Sequence, residues 1–278
     1  MQDTGQVGPD HATGAARLEI FQHSQLTHEL TQQVIDTGPG HRLFLAVPRG
    51  TPPKAGWPVL YLLDGNAAFD FLRPEHLAMV PGLMLAGIGY DTERQFARAQ
   101  RTLDFTAPDG PGDGIRPDHV HPDRLAGGAA LFLDRLTGPL RQAVEAAAPV
   151  DASRRSLWGH SFGGLCTLYA LLTRPDSFAR FAAISPSIWW DEALIRRVAD
   201  RAGRLVSPPQ LMVALGDREK RSGSDGPPPQ EPAPATMQFV ADLRDRQGLS
   251  PQVHVLPGLV HIQTIAGSLP LVLPFAAA

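Results

Sequence analysis

The chain of 278 residues has one cysteine, Cys166. A single thiol excludes an internal disulfide and any cysteine-built zinc cluster. No run of about 18 uncharged apolar residues occurs, so no helix is expected to span a membrane. The first twenty residues lack a basic start followed by an apolar run. No export signal is therefore expected, and the cytoplasm is the expected compartment. An excess of one charge is also missing: 25 Lys and Arg against 28 Asp and Glu leave −3. That balance gives no footing for nonspecific nucleic-acid binding. Charged residues make up 19% and hydrophobic residues 43%, enough apolar material for one large core and too much for a disordered chain. Glycine and proline are plentiful at 27 each, which predicts many turns and long loops.

Residues 1–15 are polar and glycine-bearing and read as a disordered arm, leaving 16–278 as one α/β domain. Arg17–Phe21 and Glu29–Asp36 read as β-like runs, and His41–Val47 follows a Gly38-Pro39-Gly40 turn. Pro58–Leu63 and Leu83–Gly89 are apolar throughout, as buried strands are. Residues 104–122 form a long Pro/Gly/Asp-rich loop, and 218–235 is a Pro-rich segment expected to be mobile. Helical spacing of Leu131, Phe132, Leu136, Leu140 and Val144 predicts a helix over 128–147. Further helices are expected at Phe162–Leu172, Thr236–Gln247 and the C-terminus. Further strands are expected at Ser156–Trp158, Phe181–Ile184, Gln210–Leu215 and Gln252–Leu256. Strands alternating with helices predict a mainly parallel sheet covered on both faces, with antiparallel strands at its N-terminal edge.

Gly159-His160-Ser161-Phe162-Gly163 is a G-x-S-x-G pattern between an expected strand and an expected helix. A serine on such a turn needs a strained backbone and small neighbours, and the helix start brings N–H groups to where an oxyanion forms. Ser161 is thus the candidate nucleophile. His261, in the loop after the last expected strand, suits the order serine, acid, histidine. His160 is expected to point into packing, and His254 to sit half-buried in its strand. After Gln210–Leu215, Glu219 is the candidate acid and Asp217 its competitor; a site working without a strong acid stays open. The backbone N–H groups of Asn66 and Phe162 are the candidate oxyanion donors, with Asn66 placed after Leu63-Asp64-Gly65.

LWGHSFGGLCTLYALLTRPDSFARFAAISPSIWW (157–190) resembles the siderophore trilactone esterases of the IroE type, a branch of the α/β hydrolases. PVLYLLDGNAAFDFL (58–72), residues 87–108 and GGAALFLDRL (127–136) resemble the other blocks of that family, so the likeness runs over about 20–275. The resemblance implies an α/β-hydrolase fold with Ser161 as nucleophile and His261 as base. It also implies a catecholate trilactone of the enterobactin kind as substrate, iron-loaded or free. It places Arg101 near the substrate, although members of this type are periplasmic. An anionic ferric catecholate calls for arginine at the rim, which points to Arg98 and Arg101 with Arg73 nearby. Trp189 and Trp190 are candidates to stack on catechol rings or, equally, to cap the core. Arg101 and Asp104 are alternatively a structural ion pair. His119 and His121, with Asp118 and Asp123, lack a further ligand set and read as a solvated loop; no metal and no cofactor is expected. A general carboxylesterase, an S-formylglutathione hydrolase, an acyltransferase and a silent siderophore-binding protein remain alternatives.

Overall fold

The computed structural model describes residues 14–38, 40–220 and 226–278. The arm expected over 1–15 therefore falls almost wholly outside the described residues, as do Pro39 and the middle of the 218–235 segment. The chain opens with β1 (His28–Ile35), β2 (His41–Pro48) and β3 (Trp57–Leu63), then α1 (Gly65–Phe71) and α2 (Pro74–Met79). Next come β4 (Met84–Tyr90), α3 (Arg98–Phe105), the short β5 (Arg116–Pro117) and β6 (Leu125–Ala126), α4 (Ala129–Arg135) and α5 (Arg141–Glu145). The second half runs β7 (Val150–His160), α6 (Phe162–Thr173), β8 (Arg180–Ile184), α7 (Glu192–Ala202), β9 (Gln210–Gly216), α8 (Pro234–Asp242), β10 (Gln252–Leu256) and α9 (Gln263–Ala277).

Eight strands form one sheet in the order β1-β2-β4-β3-β7-β8-β9-β10. β2 is antiparallel to both its neighbours, and from β4 to β10 every pairing is parallel. All positions of β3 and β4 are buried, because these strands lie mid-sheet with helices on both faces. Alternation assigns the faces. Leu43, Leu45, Val59, Tyr61 and Leu63 pack with α4, α6 and α7, whereas Phe44, Ala46, Leu60, Leu62 and Trp158 pack with α1, α2 and α9. The expected α/β architecture with an antiparallel N-terminal edge is the one observed.

Three local expectations need correction. The run Arg17–Phe21 is not a strand: Glu19–Gln22 forms a 3-10 turn whose Ile20 is buried against α1, and the N–H groups of Arg17 and Leu18 are taken by Asp70 Oδ1. The helix expected over 128–147 bends at Gly138, whose φ/ψ of −109°/−109° is non-helical, before Pro139, which offers no N–H to the ladder. The loop at 104–122 is less open than its composition suggests. Asp118 is buried and accepts hydrogen bonds from Trp190 Nε1 and Val120 N, and His119 Nε2 donates to Trp190 O.

β7 enters α6 with no loop between them, which brings backbone against backbone. A Cβ at Gly159 would stand 2.2 Å from Gly163 O and 2.3 Å from Gly163 C, so only glycine fits. Gly159→Ala is expected to destabilise the protein by about 1–3 kcal/mol, read as a lower urea midpoint. Burial also holds the imidazoles of His28 and, more strongly, His160 below their ordinary value. A histidine depressed in the folded state adds stability above its unfolded value of about 6.5 and loses it as pH falls below that value. The urea midpoint should therefore drop between about pH 7 and about pH 5, and a flat profile would contradict this reading.

Candidate active site

Ser161 lies between the last residue of β7 and the first of α6, with φ 61° and ψ −119°. The other described non-glycine residues with positive φ that begin helices, Leu18 and Asp64, lie in the left-handed helical region, whereas the ψ of Ser161 takes it outside that region. Such a conformation costs on the order of 1–3 kcal/mol and persists only where packing enforces it. Here the Ser161 N–H is bound to Ile184 O at 3.0 Å, and Ser161 O accepts from Leu165 N and Ser187 N. Gly164 permits the same closeness on the other side, since a Cβ there would meet Ile184 O at 2.7 Å. The side chain is thereby lifted out of the sheet at the C-terminal ends of the parallel strands, where open α/β sheets carry their sites.

The candidate acid and the candidate base come together from two neighbouring strand exits. Gly216 ends β9, and a Cβ there would stand 2.2 Å from Leu259 O, so the loop after β10 passes directly over it. Arg218 N donates to that same carbonyl at 3.2 Å, fixing the two loops side by side. In that frame His261 Nδ1 lies 2.5 Å from Glu219 Oε2. The other oxygen, Oε1, accepts from Gly216 N at 2.5 Å and Ser185 Oγ at 2.6 Å. Asp217 instead accepts from Gly258 N at 2.7 Å and caps the turn before the histidine. Of the two candidate acids, Glu219 is the one brought to the imidazole. With its Nδ1 proton on the carboxylate side, His261 keeps Nε2 as the basic nitrogen.

His160 is buried in packing as expected, and it also touches His261, the candidate base. Its ring lies 4.6 Å from the His261 ring, and its Nε2 donates to His261 O at 2.9 Å. Thr264 Oγ1 donates to the same carbonyl at 2.7 Å. Desolvation, reinforced by His261 and Arg101, pushes the His160 imidazole well below its ordinary range, so it serves as a neutral strut. Ser161 Oγ, for its part, hydrogen-bonds Ser187 Oγ at 3.1 Å. A Ser161–His261 hydrogen bond is not formed among the described residues; such bonds commonly close only when substrate arrives.

The oxyanion candidates sit at two helix starts. The first helical acceptors are used by Ala68 N in α1 and Leu165 N in α6, which leaves the N–H groups of Asn66 and Phe162 without an intrahelical partner. The Asn66 side chain is fully committed elsewhere, with Tyr90 N, Tyr90 O and Thr92 O. Only its backbone is left to serve the site.

The substrate-contact candidates separate. Arg101 is not a rim cation: it is 9% exposed and binds Asp64 through Nε and Nη2 at 2.7–3.1 Å. Nor does it pair with Asp104, which is held by Arg135 and Tyr90. Trp190 is 2% exposed, with its indole N–H on Asp118, so it has no open face for a ligand. Trp189 is 38% exposed beside the Phe162 ring, and Arg98 at the start of α3 is exposed. Arg73 is tied to the carbonyls of Asp70 and Leu72. Among the described residues, no group of three His, Cys, Asp or Glu is arranged to hold a metal ion. Ser187 and Ser185, which touch Ser161 and Glu219, carried no signal in the sequence beyond lying in the SPSIWW block. Glu219→Gln is expected to lower kcat on an activated ester by about 10²–10⁴-fold. Asp217→Asn should change it only a few-fold, and equal losses in the two variants would reverse their assignment.

A family model described as "Putative esterase" matches residues 116–220. Over 199 residues, 66% of this chain and 68% of the relative, the sequence is 35% identical to ferri-bacillibactin esterase BesA of Bacillus subtilis strain 168. It is 33% identical over 204 residues to apo-salmochelin esterase of Escherichia coli O6:H1, covering 70% of this chain and 60% of that protein. The solved structure of enterobactin hydrolase IroE in complex with DFP superimposes with a TM-score of 0.74 at 24% identity, over 94% of this chain and 99% of that one. The structural likeness speaks for the fold, and the sequence identity for kinship. The chain belongs to the esterase family that this model describes, with siderophore esterases among its relatives.

Proposed function

We propose that this protein is a serine esterase that opens the ester bonds of a catecholate siderophore trilactone through an acyl-enzyme, releasing its iron. The observation that carries the reading is the Glu219–His261 pair, set on the loops beside a serine held at positive φ. The names of its relatives support the siderophore as substrate class.

In this reading Ser161 Oγ attacks a lactone carbonyl while His261 Nε2 takes its proton. The developing oxyanion is met by the N–H groups of Asn66 and Phe162. Glu219 holds the Nδ1–H tautomer and favours the imidazolium. The imidazolium protonates the departing serine alkoxide of the ligand, and the lactone ring opens into an acyl-enzyme. Water, deprotonated by His261, then attacks the acyl carbon, and Ser161 regains its proton. Trp189, 38% exposed, offers aromatic surface for a catechol, and Arg98 an exposed charge for the anionic ferric complex.

Incubation with ferric and iron-free enterobactin, followed by chromatographic separation of linear trimer, dimer and monomer, tests the substrate. Ester cleavage is expected, and Ser161→Ala should lower it by about 10⁶-fold. Preference for short p-nitrophenyl esters over the trilactone would instead mark a general carboxylesterase. Undiminished turnover by Ser161→Ala would refute the nucleophile.

A further inference from the structure

The segment between β8 and α7 is zipped to the elbow. Ser161 N donates to Ile184 O at 3.0 Å, and Ser187 N donates to Ser161 O at 3.1 Å. Ser185 between them has φ 43° and takes its N–H back to Ala214 O of β9. This geometry aims the Ser187 side chain at the nucleophile: Ser187 is 1% exposed, and its Oγ lies 3.1 Å from Ser161 Oγ.

A buried hydroxyl needs a partner, and the usual one is a main-chain carbonyl. Thr102, Thr106 and Thr167, all buried, donate to carbonyls of the preceding helical turn. Ser187 differs. Among the described residues, its hydroxyl has no hydrogen-bond partner except Ser161 Oγ.

We propose that Ser187 is a catalytic residue whose O–H donates to Ser161 Oγ during both halves of the reaction. This rests on Ser161 being the nucleophile. Ser161 carries one proton, and once that proton is directed at His261 the only hydrogen left between the two serines belongs to Ser187. The Ser187 O–H then faces the oxygen on which negative charge gathers as Ser161 attacks, and again as the same oxygen departs from the acyl carbon in deacylation. Ser187 keeps its own proton throughout; the proton that moves travels from Ser161 to His261 to the leaving alkoxide, and from water to His261 to Ser161. A hydrogen bond to a charged atom is the stronger kind, so its loss should be felt in the transition state more than in substrate binding.

The test compares Ser187→Ala, Ser187→Thr and Ser161→Ala with the unaltered protein. It follows kcat and KM on p-nitrophenyl acetate, the rate of inactivation by diisopropyl fluorophosphate, and the melting temperature. For Ser187→Ala, kcat and the inactivation rate are expected to fall together by about 10–100-fold, with KM and melting temperature little changed. Ser187→Thr, which restores a hydroxyl, should recover most of the loss. Ser187→Ala reacting at the unaltered rate, or Ser187→Thr as slow as Ser187→Ala, would overturn the proposal while an inactive Ser161→Ala left the nucleophile standing. An active Ser161→Ala would remove the nucleophile itself, and with it the basis for Ser187.

Discussion

The site depends on one enforced approach of backbone to backbone, where β7 turns into α6. Gly159 and Gly163 lie so close that no side chain fits between them, and a Cβ at Gly164 would also crowd Ile184 O, at 2.7 Å. This leaves Ser161 no relaxed conformation, so the serine stands proud of the sheet at φ 61°. The strain is small beside the apolar surface buried on both faces of an eight-stranded sheet. Neighbouring loops are built onto that rigid point: β8 exits to the two serines at 185 and 187, β9 to Glu219, and β10 to His261.

A second constraint is electrostatic. Asp64, at φ 52° and 2% exposed, precedes the helix whose N-terminus is the proposed donor side of the oxyanion hole. Arg101 closes on it with a fork of hydrogen bonds and reaches His160 O at 3.4 Å, with its guanidinium against the rings of Phe96, Phe105 and Phe162. Burying two charges is costly unless they neutralise each other in good geometry, and here they do. The pair joins the loop after β3 to the elbow. A guanidinium already satisfied in this way has little left for an anionic ligand.

Much of this was legible in the linear pattern. Apolar runs such as Trp57–Leu63 announce mid-sheet strands because a strand covered on both faces has no polar side to show. The elbow was legible because the steric demand on Gly159 comes from near neighbours in sequence, Gly163 and Thr167, although that on Gly164 comes from Ile184. The choice between Asp217 and Glu219 was not. Both follow the same strand, and what separates them is the passage of Leu259 over Gly216, a contact between residues 43 apart in number. Arg101 was misplaced at the rim, and Trp190 was left open between ligand and core, for a related reason: an arginine or a tryptophan looks the same in a sequence whether its polar atoms meet Asp64 and Asp118 or meet a ligand.

The sequence by itself determined the layered α/β architecture, the strained serine turn and the candidacy of His261, since these follow from periodicity, local sterics and chain order. Only the tertiary structure decided which carboxylate meets the imidazole, that the conspicuous arginine is neutralised inside, and that a second serine faces the first. Those outcomes depend on atoms from distant strand exits converging within hydrogen-bond range, and no local rule of the chain encodes that convergence.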